Sequence, residues 1–372
     1  MKGRKMKKIL VIALALASVN AFGSRARMTA LGNAEHLIDT QTTYINPSDM
    51  FYVGGDFVNV ESGITGSAAV PATNVKNENA EGLVVRSMGD AKLGLSLGHR
   101  SDNASSYPLF GLRKGITFTG LTNANQQNPL ELTYGMKAGD MAYAATLVYS
   151  NYNNKTANEK ETSGGLRLGM RMGAIDAAIG LGLINTAETA TIKYKGTLGV
   201  TAEAGYTMDS MYMFGKVLAA GFKRELSGTE TAKEDTTDIQ LGVLSTVKKD
   251  GSEFFYGAKI VSTTVKDSVP DNKTTFLNIP IIMGLEVDAN SWLTLRGSLT
   301  QKLVLLDNTK VETPSTPATN LELSPGANST TAAFGAGLKF NKLTLDGTIL
   351  AGGTQTYSSA NLLGQVGLTY MF

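Results

Sequence analysis

Stretches of about ten residues in which apolar side chains alternate with polar ones or glycine recur along the whole chain. Ala91-Lys92-Leu93-Gly94-Leu95-Ser96-Leu97-Gly98 puts leucines on one face and lysine, serine and glycine on the other. Leu130 to Lys137, Leu166 to Met172, Leu198 to Tyr206, Trp292 to Leu299 and Leu343 to Ile349 repeat the pattern. Beyond residue 21 no window offers the ~18 consecutive apolar residues of a spanning helix. A chain with only one-sided strands can cross lipid in one way, because every backbone polar group must find a partner there. It must close its sheet on itself. The expected fold is therefore all-β: a transmembrane antiparallel β-barrel.

The connections give the strand number. Short turns fall at Gly89-Asp90, Ala138-Gly139-Asp140, Gly173-Ala174-Ile175, Asp209-Ser210, Lys249-Asp250-Gly251, Asp288-Ala289-Asn290 and Asn341-Lys342. Longer polar connections lie between them, near 62–80, 101–128, 151–163, 186–190, 225–236, 266–274, 307–329 and 352–360. Strict alternation of seven short and eight longer joins makes about 16 strands, with 14 as the alternative count. An even number puts both ends on the short-turn side, the periplasm of a bacterial outer membrane, with longer loops outside. Runs such as Thr229 to Asp235 read as hydrated external loops.

The start of the chain carries an export pattern. Lys2, Arg4, Lys5, Lys7 and Lys8 precede the apolar Ile9 to Ala17, and Ala21 is a small residue with Val19 two positions before it. This predicts a secretory signal peptide over 1–21, cut between Ala21 and Phe22 after export through the Sec pathway. The peptide holds five of the 34 basic residues and none of the 32 acidic ones, so the mature chain carries −3. That balance argues against a nucleic-acid partner.

At the other end, Val366, Leu368, Tyr370 and Phe372 share one face and the chain stops on an aromatic ring. This resembles the C-terminal signature of outer-membrane barrels, which implies recognition by the barrel-assembly machinery. Tyr206, Tyr212, Phe214, Phe254, Tyr256, Trp292 and Phe340 lie close to short turns and suit an interfacial girdle facing lipid and lipopolysaccharide.

Residues 22–50 break the alternation. Arg27 to Gly32 and Asn46-Pro47-Ser48 give a pattern similar to the segment before the first strand in several outer-membrane barrel families. Among them are the long-chain fatty-acid transporters and the porin-like major outer-membrane proteins of delta-proteobacteria. In the transporters that region is a hatch inside the barrel, and those barrels have 14 strands. The resemblance divides the chain into an N-terminal periplasmic or lumen segment over 22–50 and a barrel over 51–372.

If apolar faces meet lipid, the opposite faces line a pore. They carry Lys92, Glu131, Lys137, Arg167, Arg171, Glu203, Lys259, Glu286, Arg296, Lys339 and Asp346, with glycine, serine and threonine between them. Charges of this kind cost ~2–4 kcal/mol each at a lipid-facing midplane. Seven basic against four acidic positions predict a weak anion preference. Arg167 and Arg171, four apart on one face, are the expected constriction ladder, and the small residues are expected to keep the lumen open.

Catalysis finds little material. Cysteine is absent and only His36 and His99 are present, so thiolate chemistry and histidine-rich metal sites are excluded. Gly94-Leu95-Ser96-Leu97-Gly98 has nucleophile-elbow spacing, but that chemistry needs a strand-to-helix turn and a nearby histidine. Ser96 sits mid-strand, and His99 is expected on the opposite side of the sheet. His36, beside Glu35 and near Asp39, reads as a solvated turn. The expectation is a porin without enzyme activity, cofactor or metal, passing small hydrophilic solutes. Resemblance to 16-stranded porins adds a homotrimer. A hydrophobic-compound transporter with a hatch and a structural or adhesive surface barrel are the rivals.

Overall fold

The structure, a computed structural model, describes residues 23–64, 78–100, 126, 128–268, 271–311, 329–351 and 365–372. The proposed cleavage site at Ala21 and Phe22 and most of the connections at 62–80, 101–128, 307–329 and 352–360 lie outside them. A short helix α1 (Arg25–Ala30) and two 3-10 turns (Gln41–Tyr44 and Pro47–Phe51) precede the sheet. The first seven strands are β1 (Phe57–Ile64), β2 (Glu78–Met88), β3 (Ala91–Leu97), β4 (Leu130–Ala138), β5 (Met141–Asn154), β6 (Glu159–Met172) and β7 (Ile175–Glu188). Next come β8 (Ile192–Gly196), β9 (Gly199–Met208), β10 (Met211–Leu226), β11 (Thr229–Lys249) and β12 (Ser252–Ser268). The last are β13 (Asp271–Asn290), β14 (Leu293–Val311), β15 (Ser329–Phe340), β16 (Leu343–Ala351) and β17 (Gln365–Met371).

Both β8 and β9 pair with β7 and β10, so they are two halves of one interrupted stave. Each stave pairs antiparallel with the next, and β17 returns to β1 from Phe57↔Met371 to Gly63↔Gln365. The result is a closed antiparallel barrel of 16 staves. Among the described residues no helix is long and apolar enough to cross a membrane; the strands make the crossing. Asp209, Asp250 and Asn341 open their turns with φ of +53, +47 and +54, the twist a two-residue hairpin requires.

The pleat sorts the side chains as the alternation demands. Along β3, Leu93, Leu95 and Leu97 are exposed on the outer surface while Lys92 and Ser96 are buried inside. Along β17, Val366, Leu368, Tyr370 and the terminal Phe372 are all exposed on the outside, and Thr369 is fully buried. A surface this apolar is stable only against lipid.

Three expected loops are largely strand. The ladder of β5 with β6 runs to Asn154↔Glu159, that of β10 with β11 to Leu226↔Thr229, and that of β12 with β13 to Ser268↔Asp271. Thr229 to Asp235 therefore belongs to β11, because Ser227 and Gly228, at φ +49 and +85, close a tight hairpin far from the membrane. The 21 residues of β11 reach ~70 Å, about twice what a tilted strand needs to cross a ~25 Å apolar band. Polar composition marks where the strand leaves lipid, and pairing continues beyond that point.

Candidate functional site

Residues 23–56 lie inside the barrel at its short-turn end, and the wall is built to receive them. Ser24 caps α1, its Oγ accepting from the Arg27 amide at 3.2 Å while donating to Asp346 Oδ2 at 3.1 Å. The cap residue thereby ties the helix to β16. Asn46 starts the second 3-10 turn by accepting from the Ser48 amide at 3.1 Å, with Pro47 fixing the first φ. Its amide donates to the Met170 carbonyl of β6 at 3.3 Å.

Ion pairs hold the segment to both sides of the barrel. Arg27 forks onto Glu286 of β13 (2.9 and 3.1 Å) and reaches Asp39 at 2.9 Å, with its side chain 6% exposed. Arg296 of β14 joins the network through Glu286 (2.6 Å) and Asp346 (2.5 Å). Arg25 pairs with Glu81 at 2.5 Å, and Gln41 donates to both Glu61 and Glu81, which face each other across β1 and β2. On the far side Arg171 grips Asp49 at 2.9 and 3.0 Å. Lys259 reaches Glu35 at 2.5 Å and His36 meets Glu253 at 3.0 Å. Lys92 donates to the Met50 and Gly55 carbonyls, each at 2.8 Å.

Apolar contacts fill two patches between segment and wall. Met28, Leu31, Ala34 and Leu37 pack on Tyr212, Phe214, Leu244 and Phe255. Tyr44, Met50 and Val53 pack on Phe57, Leu83, Val85 and Ala144. Tyr212 and Phe214 thus point inward, against the expectation of a lipid-facing girdle. They share strand parity with Lys216, and parity, unlike distance from a turn, decides the face. Tyr206, Phe254, Tyr256, Trp292 and Phe340 are exposed on the outside.

The eleven charged wall positions divide by what they touch. Glu131, Arg167, Arg171, Glu286, Arg296, Asp346, Lys92 and Lys259 stand in the contacts with the segment or in buried pairs beside it. Glu203 pairs with Lys216 at 3.3 Å. Lys339 pairs with Asp288 at 2.7 Å near a short turn, and Lys137 is exposed with its Nζ 5.4 Å from the Tyr52 ring centre. Arg167 and Arg171 do not form a ladder of free cations. Arg167 is buried and forks onto Glu131 at 2.5 and 3.1 Å, and Arg171 is taken up by Asp49. The strand pattern shows which face a residue occupies but not what packs against it.

His99 also differs from expectation. Gly98, at φ +81, turns the chain at the end of β3 so that His99 comes inside. Its ring stacks on Tyr44 at 3.5 Å between centres, and its Nδ1 lies 2.8 Å from Glu131. Ser96 is bonded to the Tyr44 hydroxyl at 2.8 Å. His36 is likewise packed, edge-on to Phe255, instead of solvated. Among the described residues no group of three or more histidine or acidic side chains is placed to hold a metal.

Between the segment and the β6–β12 wall remains a cavity of about 660 Å³. Most of its lining residues carry charged, amide or hydroxyl groups, among them Arg171, Glu203, Lys216, Asp238 and Lys259, while Met28, Leu37, Ile45, Leu218 and the stems of the long side chains give it apolar surface as well. The architecture is a closed barrel, apolar outside, with a cavity beside an internal segment. The fold is that of a transmembrane β-barrel.

No protein-family model and no curated protein sequence matches the chain. Among solved structures the barrel is similar to a monoaromatic hydrocarbon channel, CymD, at 11% identity and TM-score 0.45, covering 95% of this chain and 99% of that one. It is similar to a Pseudomonas aeruginosa FadL homologue at 13% identity and TM-score 0.42, covering 94% and 98%. The outer-membrane channel DcaP of Acinetobacter baumannii gives 12% identity and TM-score 0.38, covering 85% and 96%. These are likenesses of fold.

Burial pushes the Asp49 carboxyl up to about 6, although Arg171 beside it pulls the other way. In a released segment the same group titrates near its ordinary 3.8. The docked form therefore binds more protons between these values, and docking weakens as pH rises through 6. A shift of that size corresponds to ~3 kcal/mol. Protease protection of the segment is expected to be greater at pH 5 than at pH 7.5, and Asp49→Asn is expected to flatten the difference. An equal slope in the variant would remove Asp49 from the account.

Proposed function

We propose that the barrel is a passive outer-membrane channel for small hydrophilic solutes and ions, narrowed by the N-terminal segment to the polar cavity beside it. The observation that carries this reading is the lining. Nine charged side chains border this 660 Å³ space and favour water within it, and a hydrated path admits polar solutes without dehydrating them. No reaction is assigned: the wall supplies a path and a charge pattern. The expected pore-lining residues that border the cavity are Arg171, Glu203 and Lys259, while Lys92, Glu286 and Asp346 act by holding the segment. Export through the leader, assembly through the Phe372 face, contacts with lipopolysaccharide and association into trimers belong to the same reading.

One observation favours a hydrophobic-compound channel instead. The segment occupies the lumen as a hatch would, and Met28, Leu31 and Leu37 meet an aromatic wall there. Leu31 is fully buried in that packing, whereas Met28 and Leu37 also border the cavity, where residues with charged, amide or hydroxyl groups outnumber the apolar ones. Swelling of liposomes containing the refolded chain separates the two. Swelling in small sugars or amino acids is the expected result. Accumulation of an apolar probe such as toluene without any swelling would overturn the porin reading.

A further inference from the structure

The cavity is lined by four basic and five acidic side chains, and one acid stands apart from the rest. Glu35 is within 2.5 Å of Lys259, Asp49 within 2.9 Å and Asp176 within 3.5 Å of Arg171, and Glu203 within 3.3 Å of Lys216. Asp238, half-buried on β11, has no ion pair among the described residues. Its carboxylate accepts only from neutral donors: Gln240 Nε2 at 2.8 Å and Thr263 Oγ1 at 2.6 Å. These bonds fix its direction without cancelling its charge. Thr236, Asp238 and Gln240 are the β11 residues that line the cavity, and none of them is a cation.

We propose that Asp238 makes the passage cation-selective, resting on the channel reading above. A hydrated metal ion or small organic ammonium entering the cavity meets one uncancelled negative charge, with the Thr236, Gln240 and Thr263 oxygens available to replace part of its water. An anion meets the same charge as a barrier. This reverses the preference expected from seven basic and four acidic wall positions. Five of those cations are consumed by carboxylates of the segment and of neighbouring strands, and Lys92 is held by two backbone carbonyls, so a count of residues overstates the positive field that a solute feels.

The test is the reversal potential of the refolded mature chain in a potassium chloride gradient across a planar bilayer. The wild-type passage is expected to favour potassium. Asp238→Asn, which keeps both neutral contacts, is expected to lower the potassium-to-chloride permeability ratio about sevenfold, because one unit charge across ~7 Å of water favours the cation and disfavours the anion by about threefold each. A conducting variant with an unchanged ratio overturns the assignment and leaves the channel reading standing. A wild-type protein that does not conduct removes both. The chain has no cysteine, so Thr236→Cys, which lines the cavity and leaves Asp238 in place, offers a second reading with thiol reagents of matched size. A cationic reagent is expected to react faster than an anionic one; equal rates in both would count against a cation-selective passage.

Discussion

Arg27→Met is expected to free the N-terminal segment from the wall and raise the conductance of the barrel. Arg27 is the centre of the buried network, with Glu286 held by two bonds and Asp39 by a third. Methionine keeps the stem volume and removes the charge. Among the described residues Asp39, 1% exposed, then keeps no guanidinium, and Glu286 keeps Arg296. Breaking a buried pair in this way costs about 3–5 kcal/mol, chiefly because a charge is left uncompensated. That is a large fraction of what can hold a 30-residue segment in place. Trypsin applied to the refolded protein is expected to cut at Arg25 in the variant and to spare it in the wild type. Adding Asp39→Asn removes the orphaned charge and is expected to restore part of the protection. A single variant as protected and as conductive as the wild type would shift the main holding force to the apolar patches.

Gly169→Leu is expected to act from the wall side with comparable effect. Gly169 lies on the inner face of β6, where a Cβ would stand 2.1 Å from Asn46 Oδ1, 2.7 Å from Pro47 Cδ and 2.9 Å from the Pro47 nitrogen. The first atom is the cap of the 3-10 turn and the last is backbone, so neither yields without moving the turn. Overpacking of this kind costs typically 1–3 kcal/mol, and loss of the Asn46 cap adds about 1 kcal/mol. Gly335 and Gly367 repeat the arrangement, with Cβ positions 2.5 Å from Ala30 Cβ and 2.3 Å from Ser24 Cβ. Gly297 is the contrast: nothing lies closer than 3.4 Å, and Gly297→Ala is expected to leave conductance unchanged. Equal conductance in Gly169→Leu and wild type would mean that the turn does not occupy the lumen in the membrane.

These glycines show where sequence reading stops. Their excess on inner faces was legible, and its simplest meaning was an open pore. In the structure Gly169, Gly335 and Gly367 are sockets for the segment, a meaning that depends on partners more than a hundred residues away. The barrel itself was legible because lipid imposes a local rule: period two, short turns, one apolar face. That rule needs no knowledge of distant contacts, and it gave the 16 staves and the outward face of β17. It misjudged Tyr212 and Phe214, where closeness to a turn was used in place of parity with Lys216. It also treated Arg167 and Arg171 as available charges, since Glu131 and Asp49 come from other elements. For the segment, the break in alternation and the Asn46-Pro47 turn signalled something other than a strand. Which wall residues would receive Arg27, Asp49 or Tyr44 is settled by pairings such as Arg27 with Glu286, 259 positions apart.

Single-channel recording of refolded residues 22–372, beside a variant that also lacks residues 23–56, tests the central claim most directly. The wild type is expected to give small, steady conductance steps through the passage beside the segment, and the truncated barrel to give steps several times larger. Complete silence from the wild type in ionic solution, or equal steps from both proteins, would contradict a polar channel narrowed by its own N-terminal segment.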